Sequence, residues 1–379
     1  MKNSAAAAGG TGQYVHSANG FWRIKYLLIF LVLFLANICF ASRLLLLKEY
    51  ANLIFLCYPA ESVTESSFEQ FKENEGSKNF SKIALWKSEE EITVSADNTG
   101  REQKVSFYQV KGQPDAVFGN HLLQGRYFTE EEHRVCLLDQ GLARWLFGSE
   151  NVLGMEVEIG QKSYRITGIL KGENQIFAAP AEENTGFDGV AVRKQEKEQS
   201  SALAVSLIEA IFGRTDGQKV DGQLYFMTAV LFYSMMSALM LVILGTAVIR
   251  GGKTEAIATA GEGKTETAAA EGRKTGTLMA KKGIILCWIP SAACMAAAAC
   301  ILISGFKNAA PGADYLPAYW SDFDFFVRLF QEKAGQIQRL AAYQELPVWR
   351  EMLRAWQQVV GGEIFAGLLF YTAVHRLCP

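Results

Sequence analysis

The sequence lacks a strong excess of charge of either sign. Lysine and arginine together number 37 and aspartate and glutamate 39, which leaves a net charge of −2 over 379 residues. No basic stripe is interleaved with aromatic residues, the pattern by which proteins hold phosphate backbones and stacked bases. The composition therefore excludes nucleic acid as a partner.

Residues that carry chemistry are also scarce. The sequence has four scattered histidines, which are His16, His121, His133 and His375. No cysteine or histidine cluster has the spacing of metal ligands, and neither a Gly-x-Ser-x-Gly elbow nor an HExxH helix occurs. We therefore predict no catalytic residue, no cofactor and no metal site, and a protein that is not an enzyme.

Cysteines suited to cross-linking are few. Of seven cysteines, only Cys57 and Cys136 lie in the region of mixed composition between residues 50 and 222. A single disulfide between them is one interpretation. The other is a buried free thiol at Cys136, and the apolar run Val135–Leu138 around it favours this second interpretation.

Long uncharged runs, in contrast, are abundant. The first, Leu27–Ser42, has 16 residues, too few to cross a hydrocarbon core of about 30 Å at about 1.5 Å per residue. Extension through Arg43, which can reach the headgroups, gives a predicted transmembrane helix over residues 27–47. A cleaved signal peptide is the alternative; 26 preceding residues and an apolar run that resumes after Arg43 favour the anchor.

Three further apolar runs lie in the second half. Residues 224–249 and 283–306 contain 26 and 24 residues without a charge, and each exceeds the about 20 residues needed to span a bilayer. The last run, residues 359–374, carries Glu363 in its first turns. It is predicted either as a fourth transmembrane helix or as an interfacial one.

Basic residues in short flanks set the predicted orientation. Lys2, Arg23 and Lys25 precede the first run, and seven lysines and arginines lie between the second and third runs. Both flanks are therefore predicted to be cytoplasmic. The resulting segments are 1–26 (cytoplasmic), 50–222 (extracytoplasmic domain), 250–282 (cytoplasmic linker) and 307–358 (extracytoplasmic helical segment) of a multi-pass protein of the cell membrane.

The segment 250–282 is of low complexity. It repeats a Gly-Lys-Thr-Glu-like unit among alanines and has no periodic apolar face, which predicts a mobile linker. Gly263-Lys264-Thr265 resembles the end of a phosphate-binding loop, but Ala258 stands where the first glycine is required. Nucleotide binding by this chain is excluded, and any ATP must be bound by another chain.

Residues 50–222 predict an α+β domain. Strands are predicted at residues 83–86, 91–96 and 104–110, with a turn over Asp97–Gly100. Thr129 and Glu132 fit a capping box, which predicts the start of a helix. Beyond it we predict a strand at 134–138, a helix at 140–147 capped by Asp139, and a hairpin of strands 156–159 and 163–170. A last helix is predicted at 203–212.

The stretch Leu122–Lys171 resembles the core of the MacB-like periplasmic domain of FtsX-like ABC transporter permeases. The shared pattern is a Gly-Arg-x-Phe-Thr turn, a helix ending in Leu-Phe-Gly, and a Gly-x-x-Val-x-Ile hairpin followed by a strand. The matching positions include Gly125, Arg126, Phe128, Leu146, Phe147, Gly148, Gly154 and Gly168. Their predicted roles are structural: the glycines permit turns, Leu146 and Phe147 lie in the core, and Arg126 pairs with an acid such as Glu130.

The resemblance implies a permease-like or mechanotransmission subunit. It also implies as partners the lipid bilayer, a separate ABC ATPase subunit and a second subunit in a homo- or heterodimer. One feature of such permeases is missing, the charged Arg-x-x-Glu-Ile-Gly segment that follows the second helix. A membrane-anchored binding or regulatory module that does not transport is therefore the alternative function.

Overall fold

The structure is a computed structural model that describes residues 31–32, 35–58, 63–73, 78–96, 98–119, 121–195, 200–262, 270–309, 319, 322–342 and 346–377. The chain divides into two compact units. The helical unit comprises Met1–Leu44, Thr228–Ala309 and Gln357–Pro379. The sheet unit comprises Leu45–Met227 and Ala310–Trp356.

The sheet unit is built on one mixed sheet. Its ten strands are β1 (Leu53–Cys57), β2 (Phe80–Ala96), β3 (Arg101–Gly112), β4 (Leu122–Gly125), β5 (Val135–Asp139), β6 (Glu156–Ile159), β7 (Lys162–Leu170), β8 (Ile176–Pro180), β9 (Gly189–Lys194) and β10 (Gln218–Asp221). Their order is β10-β1-β9-β2-β3-β8-β5-β7-β4, and β6 pairs with both β2 and β7. Strands β2, β3, β8, β5, β7 and β6 thereby form a closed ring of hydrogen-bonded neighbours.

The sheet unit also contains the helices α2 (Glu65–Glu73), α3 (Pro114–Phe118), α4 (Gln140–Phe147), α5 (Ser201–Phe212) and α8 (Phe323–Ala342). Helix α4 packs against the ring, where its Leu142, Ala143 and Leu146 are fully buried with ring residues such as Phe177. Helices α2 and α5 cover the sheet beyond the ring, where Phe68 and Ile208 pack on β1 and β9. All ten strands thus belong to one α+β domain with helices against the sheet.

The predicted α+β class is confirmed, and the local elements of the middle stretch agree with it. Helix α4 begins and ends where it was predicted, because the Asp139 side chain accepts a hydrogen bond from Leu142 N–H and Gly148 closes the helix in the left-handed conformation. The hairpin of β6 and β7 turns at Gly160, whose φ is +60°. Trp145 of α4 is 56% exposed, unlike its neighbour Leu146, which is fully buried.

The capping box predicted a helix that does not form. Thr129 N–H donates to Glu132 Oε2 at 2.9 Å, and Glu132 N–H donates to the Thr129 carbonyl at 3.2 Å. These bonds close a single turn. Arg134 then has a φ of +54°, which takes the backbone out of the helical region, and Val135 begins β5.

The two cysteines of the sheet unit are both free, and Cys136 is fully buried. Burial raises the pKa of the Cys136 thiol well above its usual value. The favoured interpretation, a buried free thiol, is confirmed.

The remaining helices are α1 (35–50), α6 (Gly222–Glu262), α7 (Ala270–Ala309) and α9 (Pro347–Leu377). Among the described residues, two stretches are long and apolar enough to cross a membrane, Gly222–Arg250 with mean hydropathy 2.1 and Ser291–Ala309 with mean hydropathy 1.5. Residues 1–30 and 33–34 lie outside the described residues, so the predicted span at 27–47 stays a prediction. So does the span at 359–374, which lies inside α9.

Glu363 is fully buried within the helical unit. Its neighbour Gly362 lies against the Phe40 ring, and Gly367, one turn further along α9, lies against the end of Met236. Neither carboxyl oxygen of Glu363 accepts a hydrogen bond from any residue that the structure describes. The charge that argues against a span at 359–374 therefore faces other helices of the unit.

The sequence predicts a mobile linker at 250–282, but the structure shows helix at both ends of this segment. Residues 251–262 continue α6, and residues 270–282 belong to α7. Alanine, lysine and glutamate are good helix formers. An existing helix also extends at little cost once its first turn has formed, so no apolar face is needed.

Candidate functional site

The predicted family positions meet at the junction of β4 and β7. Gly125 pairs directly with Gly168 across the two strands. A Cβ on Gly168 would lie 2.6 Å from the Arg126 carbonyl oxygen, and one on Gly125, whose φ is +77°, would overlap the Thr167 carbonyl. Both glycines are therefore required by close backbone approach rather than by chemistry.

Arg126 pairs with a different acid from the one predicted. Its Nη1 donates to Glu132 Oε2 at 2.8 Å, whereas Glu130 accepts from Lys72 at 2.7 Å. Hydrogen bonds from Arg126, and then from the Thr129 N–H, lower the pKa of Glu132 to about 2. Arg126 and Glu132 thus fasten the turn between β4 and β5.

The other predicted positions support the same frame. Phe128 and Leu146 are buried, and Phe147 packs against the core of the ring from a half-buried position. Gly148 and Gly154 have φ of +73° and +81°. These positions frame the turns and the hydrophobic core, and none of them forms a reactive cluster.

A second arrangement joins three distant segments of the sheet unit. We call it the junction triad: Tyr50 in the last turn of α1, His121 just before β4, and Glu351 in the second turn of α9. Tyr50 Oη donates to Glu351 Oε2 at 2.9 Å and lies 3.0 Å from His121 Nε2. His121 Nε2 lies 2.8 Å from the same Glu351 oxygen.

The electrostatics of the junction triad favour an ionised carboxylate. Burial of Glu351 raises its pKa. The hydrogen bond and charge of His121, together with the hydrogen bond from Tyr50, have a larger opposite effect and hold the pKa of Glu351 below its usual value. Burial and the neighbouring Glu351 charge raise the pKa of Tyr50 far above the physiological range. The tyrosine therefore stays protonated and keeps donating.

The core fixes the start of α9 beside the junction triad. Trp349 is 2% exposed, and its ring meets the Phe55 and Trp86 rings edge-on, with centroids 5.5 and 5.8 Å apart. Phe55 lies in β1 and Trp86 in β2, so the first turns of α9 dock on the face of the sheet that α2 and α5 leave open. The end of α1 and the start of α9 are thereby both bound to the domain.

Sequence reasoning did not find the junction triad. Tyr50 and His121 are separated by 71 residues, and Tyr50 and Glu351 by 301. No local pattern connects them. The only available signal was the apolar Val348, Trp349 and Met352 at helical spacing ahead of the last apolar run, which predicts a helix with one buried face.

Among the described residues, no group of three or more histidine, cysteine, aspartate or glutamate side chains is arranged to hold a metal ion. The junction triad contains one histidine and one carboxylate, and the two hydrogen-bond each other. These hydrogen bonds can hold the end of α1, the start of β4 and the start of α9 together.

Comparison with known proteins finds similarity over part of the chain. Residues 41–210 match the family model of the MacB-like periplasmic core domain. The periplasmic region of MacB from Actinobacillus actinomycetemcomitans is 16% identical, with 46% of this chain and 91% of that one covered and a TM-score of 0.39. The extracellular domain of the noncanonic ABC-type transporter YknZ from Gram-positive bacteria is 18% identical, with 45% and 100% covered and a TM-score of 0.36. No curated protein sequence matches the chain.

Proposed function

We propose that this chain, which carries a MacB-like periplasmic core domain over residues 41–210, is the permease-like or mechanotransmission subunit of an ABC transporter. The family match confirms the resemblance predicted from the sequence. The proposal adds that the ATPase is a separate chain, that residues 50–222 lie outside the membrane, and that the chain works with a second subunit.

The junction triad is the observation that carries this proposal. A subunit that transmits motion needs its helices fastened to the outer domain, and it needs no titrating catalyst. Tyr50 belongs to α1 and Glu351 to α9, and both bind His121 at the edge of the sheet. Helices α1, α6 and α9 each contribute residues to both units. A movement of α1 or α9 along its own axis would stretch these hydrogen bonds directly.

The test is recovery of an ATPase. The full chain is purified from its native membranes in a mild detergent, and co-purifying proteins are identified and quantified. We expect an ATPase in stoichiometric amount, lost when residues 251–282 are deleted. The matched control is Lys104→Glu, an exposed change in the domain whose side chain is 66% exposed, which should leave recovery intact.

The alternative function is a membrane-anchored binding or regulatory module that does not transport. It is favoured by one observation, the absence of an Arg-x-x-Glu-Ile-Gly segment after residue 250. The same experiment separates the two functions. Absence of any ATPase from both the intact chain and the Lys104→Glu chain would contradict the transporter proposal and support the module.

The proposed topology has its own test. A single cysteine in place of Lys104 should react in whole cells with a membrane-impermeant maleimide, whereas one in place of Lys264 should react only after the membrane is opened. Reaction at both positions in intact cells would contradict the placement of residues 50–222 outside and 250–282 inside.

A further inference from the structure

Helices α6 and α7 touch at two glycines. A Cβ on Gly305 of α7 would overlap the Ser234 side chain of α6, and a Cβ on Gly245 of α6 would lie 3.3 Å from Ser291 Oγ of α7. The contact that comes first along α6, at Ser234, comes second along α7, at Gly305. The helices are therefore antiparallel. Close approach through small residues is how helices associate in a bilayer.

Between these two contacts, residues of α6 and α7 line a cavity of about 470 Å³, which we call the helical slot. Its α7 wall is made of small side chains, Ala293, Cys294 and Ala297, which explains the free space. The α6 residues that line the slot run from Tyr233 to Leu244, which are eleven positions apart and so span about 16 Å at about 1.5 Å per residue. The slot therefore extends for about this length along α6.

The helical slot is polar at one end only. Ser237 Oγ donates to Asn37 Oδ1 of α1 at 2.7 Å, and Tyr233 lines the slot one turn earlier in α6. The α6 wall towards the other end is apolar, with Met240, Leu241 and Leu244. A molecule that matches this lining has one hydrogen-bonding group and one unbranched apolar tail.

We propose that the helical slot binds a single acyl chain, with the carbonyl or carboxyl group of the amphiphile at the Asn37, Tyr233 and Ser237 end. The volume lies within the range of roughly 300–1,000 Å³ typical of small-molecule sites. Surrounding lipid tails are as apolar as the slot, so selectivity comes from packing and from the polar end. This binding is independent of any ATPase and goes beyond the proposed function.

The test uses the full chain in lipid nanodiscs and photoreactive probes. The first probe is palmitic acid with a mid-chain diazirine, and the second is a lysophosphatidylcholine that carries the same chain. Adducts are mapped by peptide mass spectrometry after illumination. We expect adducts concentrated at Leu241 and Cys294, and competed by unlabelled palmitate but not by hexadecane, which lacks the polar group. The two probes distinguish a free fatty acid from a lipid as the source of the chain.

Two substitutions make the test specific. Ala297→Phe fills the slot and should reduce the slot adducts about tenfold, the change that a loss of about 1.4 kcal/mol in binding free energy produces. Ala296→Phe, at the exposed neighbouring position that does not line the slot, should leave them unchanged. Cys294→Leu provides a second filling variant in case Ala297→Phe does not fold.

The outcomes that overturn the proposal are equally defined. Adducts spread evenly over exposed residues of α7 such as Met295 and Ile303 would mean that the probes report only the surrounding bilayer. Slot adducts that persist in both folded filling variants, or that hexadecane competes as well as palmitate, would also overturn it.

Discussion

The hydrogen bond from Tyr50 to Glu351 should be worth about 1–2 kcal/mol in a double-mutant cycle. Hydrogen bonds to charged groups contribute about 1.5–3 kcal/mol. Tyr50 is 4% exposed, but the Glu351 side chain is 31% exposed. Because water reaches the carboxylate, we expect the contribution of this hydrogen bond to lie near the lower end of that range. Tyr50→Phe removes only the hydroxyl, and Glu351→Gln removes the charge while keeping the shape.

The assay is hydrogen exchange, followed by mass spectrometry, at the amides of residues 348–356 in the purified full chain. A loss of 1.4 kcal/mol in the free energy of local opening corresponds to about tenfold faster exchange. Each single variant should therefore accelerate exchange at the start of α9. The double variant should accelerate it by less than the product of the two single effects, because both remove the same bond.

Glu351→Gln should have the larger single effect, because it also weakens the contact with His121 at 2.8 Å. Glu91→Gln is the matched control. Glu91 pairs with Lys104 at 2.9 Å, but both side chains are largely exposed, and exposed pairs contribute little. Strict additivity of Tyr50→Phe and Glu351→Gln, or an equal response to Glu91→Gln, would refute the assignment of the junction triad as the fastening of α9.

Three further predictions concern the α+β domain, each checked by thermal unfolding of the purified chain. Gly168→Ala should destabilise the domain by an amount at the upper end of about 1–3 kcal/mol, because its Cβ meets backbone. Gly160→Ala, whose Cβ meets nothing within 4 Å, should cost less, about 1–2 kcal/mol from its positive φ alone. Equal losses would argue against close packing at Gly168. Glu132→Gln should lower the free energy of unfolding by less than about 1 kcal/mol at neutral pH, and by nothing near pH 2. The fold lowers the pKa of Glu132 to about 2. The stabilisation by Glu132 is therefore complete above the ordinary glutamate pKa and disappears as the pH falls to about 2. A Glu132→Gln effect that grows with acidity would contradict this sign. Asp139→Ala should cost about 2–3 kcal/mol, since it removes both the cap of α4 and the acceptor of the Asn174 N–H; a loss below about 0.5 kcal/mol would contradict the buried cap.

The elements predicted well from sequence are those fixed by neighbours in the chain. Helix α4 is determined by Asp139 before it, Gly148 after it and the apolar residues between them. The β6 and β7 hairpin is set by the turn at Gly160. In each case the deciding hydrogen bonds or dihedral angles involve residues within about ten positions, where pattern rules apply.

The elements predicted poorly depend on distant partners. The helix predicted from the capping box at Thr129 is an exception with a local cause, because Glu132 is bound by Arg126 and Arg134 has a positive φ that leads into β5. Ring closure depends on two short pairings of β6 with β2, Val94 with Ile159 and Ser95 with Glu158. Pairings across more than sixty residues leave no periodic trace in either strand.

The helical slot shows the same division between local and distant information. The alanine-rich centre of α7 is visible in the sequence and predicts packing against a neighbouring helix. It does not show that the packing is close at Gly305 and Gly245 and open between them. That distinction depends on which residues of α6 stand opposite, and only the three-dimensional arrangement supplies them.

The helical extension of α6 bears on how a partner could act on this chain. Twelve residues beyond Arg250 remain helical, which is about 18 Å at about 1.5 Å per residue. A mobile linker would absorb a push from an ATPase, because a flexible chain transmits little force between its ends. A continuous helix transmits displacement along its axis. If the proposed ATPase acts through α6, the missing Arg-x-x-Glu-Ile-Gly segment is not required, but a docking surface on residues 251–262 is. The double variant Thr254→Pro and Ala258→Pro breaks this part of the helix and should abolish the coupling, while the apolar stretch Gly222–Arg250 stays in place. Full recovery of an ATPase together with full transport by that variant would exclude α6 as the path of coupling.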